Sequence, residues 1–154
     1  MLDDIDILLV EDNLNDAEFT VRSLSSKHAV HLVHDGAEAV DFLFGTGEQT
    51  ERDVRVQPKL ILLDLKLPKV NGLEVLRRLK TDPRTALVPV VIFTSSNQLR
   101  DIEEGYSLGA NSYVVKPVDF EHFTAAVRMI GTYWLELNVI AANPMVSNLF
   151  GGTA

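Results

Sequence analysis

The chain has 154 residues, 46% of them hydrophobic and 23% charged, with a formal net charge of -8 and no cysteine. That composition fits one globular domain with a single core, and it excludes a disulfide scaffold, thiolate metal sites and a cysteine nucleophile. The acidic balance argues against direct DNA binding; with no signal-peptide pattern and no apolar run long enough to span a bilayer, a cytoplasmic protein without membrane contact is expected.

The first apolar run, IDILLV at residues 5–10, is nearly continuous, as suits a strand covered on both faces of a parallel sheet. It ends in Glu11 and Asp12. Asn13 is placed to cap a helix on which Leu14, Ala17, Val21 and Leu24 fall at helical spacing. AVHLV at 29–33 is shorter and more polar, which suits a sheet edge. Asp35 can cap a second helix bearing Ala37, Val40, Leu43 and Phe44, and Gly45 can end it. Residues 45–57, GTGEQTERDVRVQ, read as a polar surface loop. The buried run LILL at 60–63 leads straight into Asp64. Asn71 and Glu74 have capping-box spacing ahead of Leu73, Leu76 and Leu79, and Asp82–Pro83 stops that helix. VPVVIF at 88–93 is another buried strand, ending in Thr94 and Ser95. Asn97 is expected to cap a fourth helix with Leu99, Ile102 and Tyr106 inward. SYVV at 112–115 suits the second edge and ends in Lys116–Pro117. Asp119 opens a fifth helix whose stripe is Phe120, Phe123, Val127, Ile130 and Trp134.

Five βα units predict an α/β fold: a flavodoxin-like (βα)5 open parallel sheet with helices on both faces. Two strand orders are plausible, and the short polar second and fifth strands favour 2-1-3-4-5. Sites in this architecture form beyond the carboxyl ends of the strands. Glu11, Asp12 and Asp64 would converge there, faced by the Thr94 hydroxyl and the Lys116 ammonium. A single Asp after a strand is ordinarily a cap or turn residue; the ordered set, each ending a different strand, is the signal. Converging carboxylates repel one another unless a cation neutralises them. A hard divalent cation with oxygen ligands fits, and Mg2+ keeps waters and accepts phosphate oxygens. Asp64 could then stay ionised and attack a phosphoryl group, with Lys116 and Thr94 as its partners.

The motifs LLVEDN, LLDLKLPKVNG, VVIFTSS and GANSYVVKP resemble, in turn, the acidic pair, phosphoacceptor strand, switch strand and lysine segment of the receiver domains of two-component response regulators. The resemblance covers roughly residues 6–137. It implies that Asp64 is the phosphoacceptor and that Asp12 ligates Mg2+ directly, with Glu11 doing so through water. It further implies that the Lys66 backbone carbonyl is another ligand and that Lys116 contacts the phosphoryl oxygens, with a cis bond to Pro117. Thr94, followed by Ser95, would couple to Tyr113 as the switch, so that Thr94 moves toward the phosphoryl group and Tyr113 turns inward. Such a protein is no enzyme beyond its own phosphorylation and dephosphorylation. It signals through the surface of the fourth helix, fifth strand and fifth helix. Lys66 stands at a variable position of the family, where its side chain could screen the pocket or slow hydrolysis.

The long loop before the third strand, LRRLKTDPRTALVPVVIFTSS and the TYWLEL ending further resemble the small stand-alone regulators paired with bacterial phytochrome histidine kinases. A phytochrome-like sensor kinase is thus the expected partner. Residues 1–137 form the expected receiver domain and 138–154 a tail, with no output domain following; the message would pass by protein contact or onward phosphotransfer. Tyr133, Trp134, Leu135, Leu137, Val139, Ile140, Met145, Val146, Leu149 and Phe150 make that end apolar. The tail either folds back on its own domain or serves as an arm in a homodimer, the latter being expected because so apolar a patch is rarely left in water.

Other readings fare worse. A phosphatase of the haloacid dehalogenase type needs a second Asp two residues after the nucleophile, where this chain has Lys66. A flavin-binding module needs a phosphate loop after the first strand, where EDNLND would repel phosphate. An unphosphorylated adaptor receiver is disfavoured because every site residue is present. His28, His31 and His34 alternate around the second strand and suit a solvated edge rather than a metal site. His122, in the first turn of the last helix, is expected to be exposed.

Overall fold

The computed structural model describes residues 5–141. Five parallel strands, β1 (Ile7–Val10), β2 (Val30–Val33), β3 (Leu60–Leu63), β4 (Val90–Thr94) and β5 (Ser112–Val115), stand in the order 2-1-3-4-5. They alternate with helices α1 (Leu14–Leu24), α2 (Gly36–Phe44), α3 (Gly72–Thr81), α4 (Leu99–Ser107) and α5 (Phe120–Gly131). This is the flavodoxin-like order expected from the short, polar second and fifth strands.

Side chains of a strand alternate between faces, and here both faces are apolar. Leu8, Val10, Ile61, Leu63 and Ile92 join Phe42, Leu43, Leu76 and Leu79 in one core layer. Ile7, Leu9, Leu60, Leu62 and Phe93 join Leu24, Phe123, Val127 and Ile130 in the other. The inner strands are therefore buried along their whole length, which is why they read as unbroken apolar runs.

Four helix starts follow the expected caps. Asn13, Asp35, Asn71 and Asp119 each accept a hydrogen bond from the backbone N–H three residues on. Gly45 closes α2 in the left-handed conformation, φ 67°. The box at Asn71 is only half formed, because the Glu74 carboxylate turns to Arg77 and Arg78 instead. In α2 the buried residues are Gly36, Ala39, Phe42 and Leu43; of the expected stripe Leu43 is buried, and Val40 and Phe44 are partly buried against the core.

The fourth helix departs most from expectation. Its cap position is Gln98, with no side-chain bond, and Leu99 and Tyr106 are 68% and 50% exposed. Only Gly105 is buried, because a Cβ there would lie 2.7 Å from Ile92 Cδ1. The helix approaches the sheet through a residue without a side chain, which leaves Leu99 and Tyr106 outward and Ile102 half-buried. Phe120, also expected inward, is 57% exposed, although its ring meets Phe19 edge-on at 4.9 Å.

The loop at 45–57 is polar but docked. It contains a 3-10 turn at Gly47–Gln49, sets the Arg52 guanidinium 4.1 Å from the Phe42 ring centroid, and ties Gln57 Nε2 to the Leu43 and Val54 carbonyls. His31 stacks on the same Phe42 ring at 4.5 Å. It is thus half-buried rather than a solvated edge residue, and that burial, with Arg52 nearby, lowers its pKa. Past α5 the chain continues as a π-helical turn, Thr132–Leu137, which carries Trp134 and Leu135 against the core layer of α1 and α5. The remaining tail positions named above, Met145, Val146, Leu149 and Phe150, lie outside the described residues. Among the described residues no helix is long and apolar enough to cross a membrane.

Candidate functional site

The sheet register sets the site. Val10 of β1 pairs with Leu63 of β3, so the next residues, Glu11 and Asp64, emerge side by side at the carboxyl end of the sheet. The Asp64 N–H donates to the Val10 carbonyl at 3.1 Å and holds the two chains together at that point. Gly72 opens α3 directly beneath: a Cβ there would lie 2.3 Å from the Asp64 carbonyl oxygen and 2.6 Å from Leu65 Cα. The start of α3 thus presses on the backbone that carries Asp64.

Glu11 and Asp64 are buried and Asp12 is exposed, yet one carboxylate oxygen from each lies within 4.8 Å of the others. Asp64 Oδ1 accepts from the Leu65 N–H at 2.7 Å and the Lys66 N–H at 3.4 Å. Its Oδ2 accepts from Lys116 Nζ at 2.9 Å. That ammonium also lies 2.6 Å from Glu11 Oε1 and 2.9 Å from Asp16 Oδ2. Lys116 is placed by the β4–β5 pairing, its N–H donating to the Thr94 carbonyl at 2.7 Å. The fully buried Thr94 hydroxyl reaches the Asp64 carboxylate.

The electrostatics follow from this crowding. Burial pushes the Glu11 carboxyl up to about 7, against the opposing pull of Lys116. Burial would raise Asp64 as well, but the charge and hydrogen bond of Lys116, with the Thr94 hydroxyl, outweigh it and hold Asp64 below its ordinary value. Burial would lower Lys116, and its bonds to Glu11 and Asp64 reverse that and raise it. Asp64 is thereby kept ionised, as a nucleophile must be. One ammonium contacts three carboxylates, Glu11, Asp16 and Asp64, and Asp12 adds a fourth beside Glu11 and Asp64. An all-oxygen donor set in need of further positive charge fits a hard divalent cation such as Mg2+.

The sequence-predicted residues divide. Glu11, Asp12, Asp64, Thr94 and Lys116 come together. Tyr113 is half-buried, and its hydroxyl donates to the Ser96 carbonyl at 2.9 Å. Ser95 is exposed, whereas its neighbour Ser96 is buried, with its hydroxyl on Asp101. Lys66 is exposed and offers its N–H to Asp64. The bond between Lys116 and Pro117 is trans, not cis: no cis peptide bond occurs among the described residues. Trans is the lower-energy isomer of an X–Pro bond by about 0.5–1 kcal/mol, and Lys116 reaches all three carboxylates with the bond in that form. Asp16 was missed. The local signal was only its place in the first turn of the helix that follows the acid pair; its contact with Lys116, 100 residues on, is tertiary.

Comparison with known proteins agrees with this geometry. Residues 7–128 match the family model of the response regulator receiver domain. The chain is 39% identical over 135 residues to the probable methanogenesis regulatory protein FilR2 of Methanothrix harundinacea, covering 86% of this chain and 84% of that protein. It is 35% identical over 139 residues to response regulator Rcp1 of Synechocystis, covering 88% and 92%. Among solved structures, the phosphorylated cyanobacterial phytochrome response regulator RcpA matches with a TM-score of 0.84 at 36% identity, over 88% of this chain and 97% of that one. The Mn2+-bound form of Rcp1 matches with a TM-score of 0.82 at 35% identity, over 88% and 98%.

Proposed function

The chain belongs to the response regulator receiver domain family, and from that premise we propose that it accepts a phosphoryl group on Asp64 from a sensor histidine kinase. The observation that carries this reading is the position of Lys116 Nζ, 2.9 Å from Asp64 Oδ2, beside the oxygen cluster of Glu11, Asp12 and Asp64.

In the proposed transfer, a carboxylate oxygen of Asp64 attacks the phosphorus of a phosphohistidine. The P–O bond forms as the P–N bond breaks, and the electron pair returns to the imidazole. Glu11, Asp12 and Asp64, with the Lys66 carbonyl, would hold Mg2+, which when bound offsets the negative charge of the phosphoryl oxygens. Lys116 and Thr94 donate to those oxygens. The acyl phosphate adds about -1.5 to -2 charge. Thr94 is drawn toward it, which biases Tyr113 and with it the surface of α4, β5 and α5. A kinase of the phytochrome type is the proposed donor, on the strength of the likeness to RcpA and Rcp1.

Residues 1–137 would then be the receiver unit and 138–154 an arm in a homodimer. Supporting this, Met129, Tyr133, Leu137 and Val139 are all at least half exposed on α5 and its continuation, an apolar surface suited to a second copy. Light scattering that finds only monomer at high micromolar concentration, with or without phosphorylation, would remove the dimer from the proposal.

The central claim is tested with a small acyl phosphate, Mg2+ and intact-mass measurement. The parent chain is expected to gain one phosphoryl group and Asp64→Asn none. Equal uptake by both would assign the acceptor elsewhere.

A further inference from the structure

An ammonium has three protons to donate, and Lys116 places one on each of three carboxylates: Glu11 at 2.6 Å, Asp64 at 2.9 Å and Asp16 at 2.9 Å. The first two belong to the cluster of acids that can share a metal ion, and Asp16 does not. A cation held by Glu11 and Asp64, and a phosphoryl group on Asp64, would compete with Lys116 for the same oxygens. Asp16 is the partner that neither would take.

Asp16 is also well placed to stay fixed. It lies in the first turn of α1, its N–H bonded to the cap Asn13 Oδ1 at 3.0 Å, and its carbonyl accepts from the Thr20 hydroxyl at 2.7 Å. Its side chain is 27% exposed and that of Lys116 is 7% exposed, so the pair sits at the inner edge of the pocket. Lys116 is the one cation in contact with these acids among the described residues.

We propose that Asp16 is a positioning residue for phosphoryl binding: it anchors the Lys116 ammonium by one proton while the other two turn from Glu11 and Asp64 to the phosphoryl oxygens. Without that anchor, the four-carbon stem of Lys116 is free to carry its charge out of the pocket, and the ordering of the side chain must be supplied at the moment of binding. The proposal rests on the reading of Asp64 as phosphoacceptor. It adds that Asp16 acts only through Lys116.

The test uses beryllofluoride, a non-transferable phosphoryl mimic, with the full chain at saturating Mg2+ and binding followed by fluorine NMR. Asp16→Ala is expected to weaken binding roughly 5- to 20-fold, as loss of a charge-assisted contact would. In a Lys116→Met background the same change is expected to alter binding by less than about 2-fold, since coupled residues lose their effect once the partner is gone. Equal losses in the two backgrounds, or no loss in either, would overturn the proposal. If Lys116→Met does not fold, a crystal structure of Asp16→Ala with Mg2+ and beryllofluoride decides. Lys116 Nζ displaced from the fluorides supports the anchor, and Nζ in its parent position refutes it. If the parent itself binds no beryllofluoride, it is the phosphoacceptor reading that fails.

Discussion

Lys116 Nζ and Asp64 Oδ2 stand 2.9 Å apart with both side chains more than nine-tenths buried. A buried ion pair contributes little when both members are compared with apolar substitutes, but removing one member strands the other. Lys116→Met leaves Glu11 and Asp64 buried without their cation, so it is expected to cost about 3–5 kcal/mol. Urea titration measures it. Millimolar Mg2+ is expected to recover more stability in this variant than in the parent, because the metal supplies the missing positive charge.

The raised Glu11 pKa, about 7, gives a pH dependence with a definite sign. In the metal-free protein the folded state holds the Glu11 proton between its ordinary value near 4.5 and about 7. The folded form binds more protons than the unfolded form in that window, so the contribution of this group to stability falls as pH rises through it. Mg2+ binding must displace the same proton. Its apparent affinity is expected to climb up to about 10-fold per pH unit below pH 7 and to level off above it. Calorimetric titrations at several pH values check this, and Glu11→Gln is expected to flatten the profile as well as weaken binding.

Gly72 tests the support beneath Asp64. A methyl group at that position meets backbone atoms at 2.3 and 2.6 Å, which cannot move aside without carrying the Asp64 segment with them. Gly72→Ala is expected to cost about 2–3 kcal/mol and to slow phosphoryl uptake in the fraction that remains folded. Unchanged thermal stability would mean that α3 can retreat from β3.

Tyr113 tests the tie between β5 and the segment that follows β4. Tyr113→Phe deletes the hydrogen bond to the Ser96 carbonyl while keeping the ring beside Gly105. The expected loss is about 0.5–1.5 kcal/mol, read by denaturant titration.

The sheet order, all five strands and four of the five helix caps were legible because each rests on local chemistry: apolar runs, cap residues and a glycine stop. The acid cluster was legible for the same reason, since strand ends and parallel order together place Glu11, Asp12 and Asp64. The misses are tertiary. Gly105 turned α4 away from the face that Leu99 and Tyr106 suggested, and nothing in helical spacing reveals which side of a helix a glycine will press against the sheet. His31 looked like a solvated edge until Phe42 and Arg52 covered it. Asp16 went unremarked within EDNLND, because its link to Lys116 spans 100 residues and is set by tertiary packing. The trans bond at Pro117 departs from what the family resemblance implied.

The three bonds of Lys116 reach across the chain, 52 residues to Asp64 and 100 to Asp16. Contacts so remote in sequence form only after the intervening crossovers have closed, and they are among the slowest to be made. A nascent or partly unfolded molecule therefore carries Asp64 without the ammonium that partners it in the folded pocket. On the proposed function, competence to take up a phosphoryl group arrives only with β5, and an unfinished chain lacks it.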